Sequence, residues 1–275
     1  MKNLRRGVCA AFAAALFFAA PAPAQAQTSS LSSHSSGSSQ AAGVGTSLLQ
    51  SGFGFRVVSV DGMVRPYTVV LPRGYNPFQA YPVIIGFGGV HHTAGRTRSY
   101  QRLEHAAAGR AIVVYPQGMN NSWGGAPYAK TSMNSDIRFI RAVIGNLGSM
   151  HKIDKKRVYA AGLSNGGGMA LALACHAPDL VAGVAGVAGA YYEQTVTNCA
   201  PGKVKTLLMH ADNDDIVHYN GGSRNGTPYR AVPDVYASFS KRNGDAVRTE
   251  LHTIKGGGHT WFPDATGRVV RFFLD

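Results

Sequence analysis

Short apolar runs alternate with stretches of helical periodicity across about 200 residues, which predicts an α/β fold with a doubly wound, mostly parallel sheet. Three observations carry that expectation. The later runs are continuously apolar, as strands covered on both faces are. Helix-forming segments fill the intervals between them. Finally, Gly162-Leu163-Ser164-Asn165-Gly166 joins an apolar run (158–161) directly to a helix-prone segment (169–174). That pattern reads as a strand, a sharp elbow and a helix, with one serine at the apex.

The chain begins with Lys2, Arg5 and Arg6 ahead of an apolar stretch (8–20), followed by Pro21 and Ala24-Gln25-Ala26. These are the parts of an export signal, expected to span residues 1–26. The stretch is shorter than the roughly 20 apolar residues of a spanning helix, and no other segment comes closer, so no membrane span and a secreted or periplasmic location are expected. Residues 27–43 are mostly Ser, Gly, Ala and Gln, a composition that cannot bury a core and reads as a flexible linker. Residues 44–275 then form one α/β domain.

Within that domain, runs at 55–60 and 66–71 flank Asp61-Gly62 and predict an antiparallel hairpin. Buried strands are predicted at 83–85, 111–115, 158–161, 181–187, 206–209 and 248–254. Helices are predicted at 100–108, 166–176 and 232–242, with another capped by Ser135, in which Ile137, Ile140, Ile144, Leu147 and His151 recur at helical spacing.

The net charge is +13, and loss of the three leader cations leaves +10. The basic residues are scattered, and their tightest cluster (152–157) contains Asp154, so the charge reads as a solvated surface and no nucleic-acid partner is expected. Removal of the leader also removes Cys9, leaving Cys175 and Cys199, which are expected to pair in an oxidising compartment. Neither has a Cys-x-x-Cys or His-rich neighbourhood, and the adjacent His91 and His92 point apart. No metal or other cofactor is expected.

With 34 glycines in 275 residues, a Gly-x-Ser-x-Gly pattern arises by chance about 0.3 times, so the elbow needs partners to mean anything. A serine nucleophile requires a base, and the base an orienting acid. On such sheets they follow in the order Ser, acid, His. The run 207–209 leads into an acidic turn with Asp212, Asp214 and Asp215, and spacing alone does not choose among the three. His259 follows three glycines in Gly256-Gly257-Gly258-His259-Thr260-Trp261, a loop that lets an imidazole approach closely. His252, in a strand-like run, reads as structural.

Several ordered motifs add to the elbow: Tyr115-Pro116-Gln117-Gly118 with Asn121-Ser122-Trp123; Ile153-Asp154-Lys155-Lys156-Arg157-Val158-Tyr159; Gly162-Leu163-Ser164-Asn165-Gly166-Gly167; the acidic turn from His210 to Val217; and Gly258-His259-Thr260-Trp261. From Phe55 onward the chain resembles the extracellular esterase family that contains polyhydroxybutyrate depolymerases and the feruloyl and acetylxylan esterases of carbohydrate esterase family 1. The resemblance implies an α/β-hydrolase fold and a Ser164–His259–Asp214 triad, because in that family the acid lies four residues after a histidine that ends the preceding strand, here His210. It also supports the Cys175–Cys199 pairing. The family's Leu-His-Gly-x oxyanion loop corresponds to Phe87-Gly88-Gly89-Val90, with Gly88 in the histidine's place, and implies Val90 and Asn165 as backbone donors, with Gly89 as the fallback.

The expectation is a serine carboxylesterase acting through an acyl-enzyme on feruloyl or acetyl esters of polysaccharide. Hydroxyalkanoate polyester is the alternative substrate. A non-catalytic glycan-binding protein on the same fold is the alternative of another class, and a complete triad argues against it. Peptidase activity shares the chemistry, but the resemblance weighs against it. The chain ends 16 residues (275 − 259) after His259, which leaves no appended substrate-binding module and favours soluble or oligomeric esters. Trp123 and Trp261, with Tyr191 and Tyr192, are candidates to line the pocket. The sequence sets no oligomeric state.

Overall fold

Asp61 and Gly62 both adopt left-handed backbone (φ 52° and 75°), the type I′ geometry that matches the twist of a two-residue hairpin. They join β1 (Phe53–Val60) to β2 (Met63–Val70), antiparallel with Val60 opposite Met63. The computed structural model describes residues 52–275. The expected leader (1–26), the linker (27–43) and the first residues of the domain lie outside them.

Six further strands of the main sheet follow, β3 (Tyr81–Phe87), β4 (Ile112–Pro116), β5 (Ile153–Leu163), β6 (Gly183–Val187), β7 (Lys205–Ala211) and, after a small hairpin, β10 (Thr249–Ile254). With β1 and β2 they form one sheet in the order β1-β2-β4-β3-β5-β6-β7-β10, parallel from β4 to β10. This is the α/β-hydrolase architecture. Alternation along β3 shows why the runs are continuously apolar: Val83, Ile85 and Phe87 enter the core on one face, and Ile84 the core on the other.

The helices are α1 (Ala94–Gln101), α2 (Leu103–Ala107), α3 (Met133–Met150), α4 (Asn165–His176), the single turn α5 (Glu193–Val196), α6 (Val232–Asn243) and α7 (Ala265–Leu274). Three sequence readings need correction. The helix predicted at 100–108 is broken at Arg102 (φ 44°), because the Leu103 N–H donates to Tyr115 Oη (3.0 Å) in place of a continuing helical bond. The cap of α3 is Ser132, whose Oγ accepts from the Ser135 N–H, while Ser135 Oγ donates to Asp61 (2.6 Å). The third is α7, which the sequence reading passed over although Val269, Val270, Phe272 and Phe273 bury one side of it, Phe273 stacking on Tyr159. A two-stranded antiparallel hairpin, β8 (Gly222–Arg224) and β9 (Thr227–Tyr229), stands outside the expected elements.

Beneath the sheet's hairpin edge, Arg65 and Asp136 form a fully buried ion pair (2.9 Å). Asp136 also accepts from Gly124 N–H and Thr131 Oγ1, so the pair ties β2, α3 and the segment after Trp123 together.

Cys175, at the end of α4, is bonded to Cys199, a sequence separation of 24. Closing a loop of that size restricts the unfolded chain by about 3 kcal/mol. The Cys175→Ser/Cys199→Ser double variant should therefore melt several degrees lower in a thermal scan. An unchanged melting curve would mean that the bridge adds no stability.

Candidate active site

The strand β5 ends at Leu163, and Ser164 takes φ 55°, ψ −119°, a conformation that costs about 1–3 kcal/mol for a residue with a Cβ. Three backbone hydrogen bonds hold it: its N–H donates to Val187 O (2.9 Å), and its carbonyl accepts from Gly168 N–H (3.1 Å) and Ala190 N–H (3.0 Å). Glycine is required on both flanks. A Cβ on Gly162 would collide with the Gly166 carbonyl, and one on Gly166 would come within 2.5 Å of Gly88 O at the end of β3. Asn165 opens α4, so its N–H has no intrahelical acceptor and lies at the positive end of the helix.

The acidic turn separates its three carboxylates by what each one faces. Asp214 is buried and its Oδ2 lies 2.7 Å from His259 Nδ1. Its Oδ1 accepts from Ile216 N–H (2.9 Å) and Val217 N–H (2.8 Å). Asp212 instead pairs with Lys255 (2.9 Å) and Gly256 N–H (3.0 Å), and Asn213 accepts from Gly258 N–H (2.9 Å). These two side chains clasp the glycine loop that presents His259. Asp215 is exposed.

His210, fully buried, adds a contact that the sequence pointed to only through the resemblance. Its Nε2 lies 2.8 Å from Val217 O and 3.1 Å from Asp214 Oδ2, so that nitrogen carries the proton and donates to both. Burial on its own would raise the Asp214 carboxyl. The donors from His210, His259 and Val217 N–H outweigh it and hold Asp214 well below the usual carboxylate range. An anionic Asp214 fixes the proton of His259 on Nδ1 and leaves Nε2 free to accept one. Among the hydrogen bonds of the described residues none joins Ser164 Oγ to His259, but both side chains line one cleft.

The loop 87–90 leaves β3 beside the elbow. At Gly88 a Cβ would collide with Thr97 Oγ1 and come within 3.0 Å of the His92 side chain, so the space for any residue larger than glycine is already filled. The loop is held by its carbonyls: Gln101 Nε2 donates to Phe87 O (3.0 Å) and Trp123 Nε1 to Gly88 O (3.1 Å). Gln117 accepts from Ala94 N–H and donates to Asn121 Oδ1, and Asn121 O accepts from His91 N–H, each at 2.8 Å. Those bonds give the Tyr115-Pro116-Gln117-Gly118 and Asn121-Ser122-Trp123 motifs a structural reason.

Trp123 is a correction. It was expected to line the pocket, but it is 2% exposed, packs edge-on against Phe87 (4.8 Å) and exchanges two backbone hydrogen bonds with the Asn165 side chain. It braces the loop and the elbow. Tyr191 and Tyr192 are likewise core residues.

The cleft holds about 500 Å³ and is bordered by Gly89, Val90, Ser164, His259 and Trp261. Trp261 is thus at its wall, with its indole N–H donated to Thr266 (2.9 Å). Sequence reasoning missed His92, Arg96, Tyr100, Tyr128 and Arg224, which share the lining. Burial pushes Tyr100 up to about 12 and keeps the His92 imidazole below its usual range. Arg224 was findable, since Asn225-Gly226 after it is a strong hairpin signal. A larger hollow, about 960 Å³ between Leu71, Tyr75, Arg98 and Ala108, holds none of the expected site residues. No helix among the described residues is long and apolar enough to cross a membrane.

A family model described as "Putative esterase" matches residues 62–223. The chain is 28% identical over 229 residues to feruloyl esterase B of Piromyces equi, covering 71% of this chain but 42% of that protein, less than half its length. It is 29% identical over 227 residues to feruloyl esterase C of Emericella nidulans, covering 74% of this chain and 79% of the relative. The fold matches that of a CE1 ferulic acid esterase from Anaeromyces mucronatus solved with ferulic acid, with a TM-score of 0.56, 17% identity, and coverage of 80% of this chain and 89% of the other.

Because the folded state holds Asp214 ionised more firmly than the unfolded chain does, its stabilisation is complete above the ordinary carboxylate range and is lost as pH falls through the lowered value. In urea denaturation at a series of pH values, the stability gap between wild type and Asp214→Asn should be constant near neutrality and shrink below about pH 4. A gap independent of pH down to 2 would contradict a carboxylate held in this way.

Proposed function

The chain belongs to the esterase family, and from that premise we propose that it is a secreted or periplasmic serine carboxylesterase. The reading is carried by one contact, Asp214 Oδ2 to His259 Nδ1 at 2.7 Å, at the wall of the cleft that Ser164 enters. In this reading His259 Nε2 takes the Ser164 proton as Oγ attacks the ester carbonyl. Negative charge develops on the carbonyl oxygen, and the N–H groups of Val90 and Asn165 receive it at the head of α4. Collapse of the tetrahedral species expels the alcohol, which collects the proton from His259 and leaves an acyl-enzyme. Water, deprotonated by the same imidazole, then frees the acid and restores Ser164. The proposed substrates are feruloyl or acetyl esters of polysaccharide, and the relatives named as feruloyl esterases support the feruloyl part of that reading. The Cys175–Cys199 bond and the leader-like residues 1–26 support export.

A fluorophosphonate probe should label the wild type and not Ser164→Ala; an unlabelled wild type would overturn the assignment. Asp214→Asn should lower kcat about 10³–10⁴-fold, with Asp212→Asn and Asp215→Asn close to wild type. A dead Asp212→Asn would move the acid. Hydrolysis rates on methyl ferulate, acetylated xylan and hydroxybutyrate oligomers would rank the acyl groups.

Trp123→Phe keeps the ring contact with Phe87 but removes the donor to Gly88 O. It should lower kcat roughly tenfold through a looser oxyanion loop with KM little changed. An equal rise in KM and no loss of kcat would show that Trp123 acts on substrate instead.

A further inference from the structure

Eight of the sixteen arginines among the described residues are paired with a carboxylate, Arg98 with Glu104, Arg138 with Asp61, Arg141 with Asp179 and Arg157 with Asp154 among them. The two that border the cleft are not. Among the described residues neither Arg96 nor Arg224 has a carboxylate within ion-pair distance, and no aspartate or glutamate lines the cleft. The hollow that adjoins it past Val90 and Tyr128 brings Lys130 and the other side of Arg224, again without an acid. The carboxylate of Asp214 is fully buried and its oxygens are already engaged by His259, His210 and two backbone N–H groups.

Both arginines are presented by ordered backbone. Arg96 lies in the first turn of α1, its N–H donated to the Thr93 cap (3.2 Å). Arg224 ends β8, and the hairpin is seated by Tyr229, which is buried, bridges to Tyr192 and accepts from His218 N–H (3.0 Å). One guanidinium nitrogen of Arg224 donates to Ile216 O (3.0 Å), which steadies the group, and among the described residues its other N–H donors have no hydrogen-bond acceptor. Like charges gathered around a concave site without a counter-charge repel one another, and an anion entering the site relieves that cost.

Resting on the esterase reading, we propose that this cleft selects esters that carry a second, anionic group, a carboxylate on either the acyl or the alcohol part, bound by Arg224 and Arg96. The ester carbonyl lies at Ser164 and the remote carboxylate at the guanidinium groups. Binding energy from the carboxylate then orients the ester for attack.

Two matched pairs test it. Mono(4-nitrophenyl) adipate against 4-nitrophenyl hexanoate places the carboxylate on the acyl side, and 4-acetoxybenzoate against its methyl ester places it on the alcohol side. The readout is the ratio of kcat/KM for anionic over neutral ester, which a general loss of active enzyme leaves alone. In at least one pair the wild type should favour the anion about fivefold or more at low salt, and that pair identifies the side. Arg224→Gln and Arg96→Gln should each bring the ratio toward unity, and Lys156→Gln, a remote surface change, should not. Neutral esters hydrolysed with no anionic preference in either pair would overturn the proposal, as would a ratio that Lys156→Gln lowers as far as Arg224→Gln does. Hydrolysis of none of the four esters would overturn the esterase reading itself and the inference with it.

Discussion

The parallel pairing of β3 with β5, Phe87 opposite Gly162, is the constraint on which the rest of the site depends. β4 lies on one side of β3 and β5 on the other, so the chain reverses its direction of winding there. The loops leaving β3 and β5 therefore diverge to opposite faces and open a crevice at their carboxyl ends. One register step places the 87–90 loop against the Ser164 elbow. The same closeness dictates glycine at position 166, where the β3 carbonyls leave no room for a side chain. A shift of one residue would turn Ser164 toward the opposite face of the sheet.

Around that pairing, polar side chains fasten backbone to backbone. Trp123 and Gln101 hold the carbonyls of the 87–90 loop, Asn165 ties the elbow to Trp123, and Asp212 and Asn213 fasten the glycine loop below His259. Each is a neutral or charged side chain capping a main-chain group, which gives irregular segments the rigidity that helices and strands obtain from their own ladders. The buried Arg65–Asp136 pair extends the same device inward through the Gly124 N–H. Burial there raises the Asp136 carboxyl, and Gly124 N–H and Arg65 oppose that rise.

What could be read from the sequence was whatever has a local signature. The Asp61-Gly62 hairpin, the continuous apolar strands and the Gly-x-Ser-x-Gly elbow each impose a short-range rule on residue type, and all three stand where they were expected. Side-chain partners between distant segments have no such signature. Spacing left Asp212, Asp214 and Asp215 open, and they differ only in what the strands bring opposite them: Lys255 for the first and His259 for the second. Trp123 reads the same whether it faces a pocket or braces a loop, and the deciding fact is the Gly88 carbonyl 35 residues away. Arg96 and Arg224 were lost in a count of scattered cations, since net charge says nothing about which cations the fold leaves without a counter-ion.

The conformation of Ser164 has a consequence for the order in which the molecule is assembled. Its acceptors and donors come from Val187, Gly168 and Ala190, so the strained backbone is supported only once β6 has docked beside β5 and the segment following β6 has folded back over the elbow. An isolated strand–turn–helix of this sequence would relax to an ordinary turn and withdraw the hydroxyl. The reactive geometry is therefore a property of the finished sheet, and the chain does not hold it before β6 and the segment after it are in place.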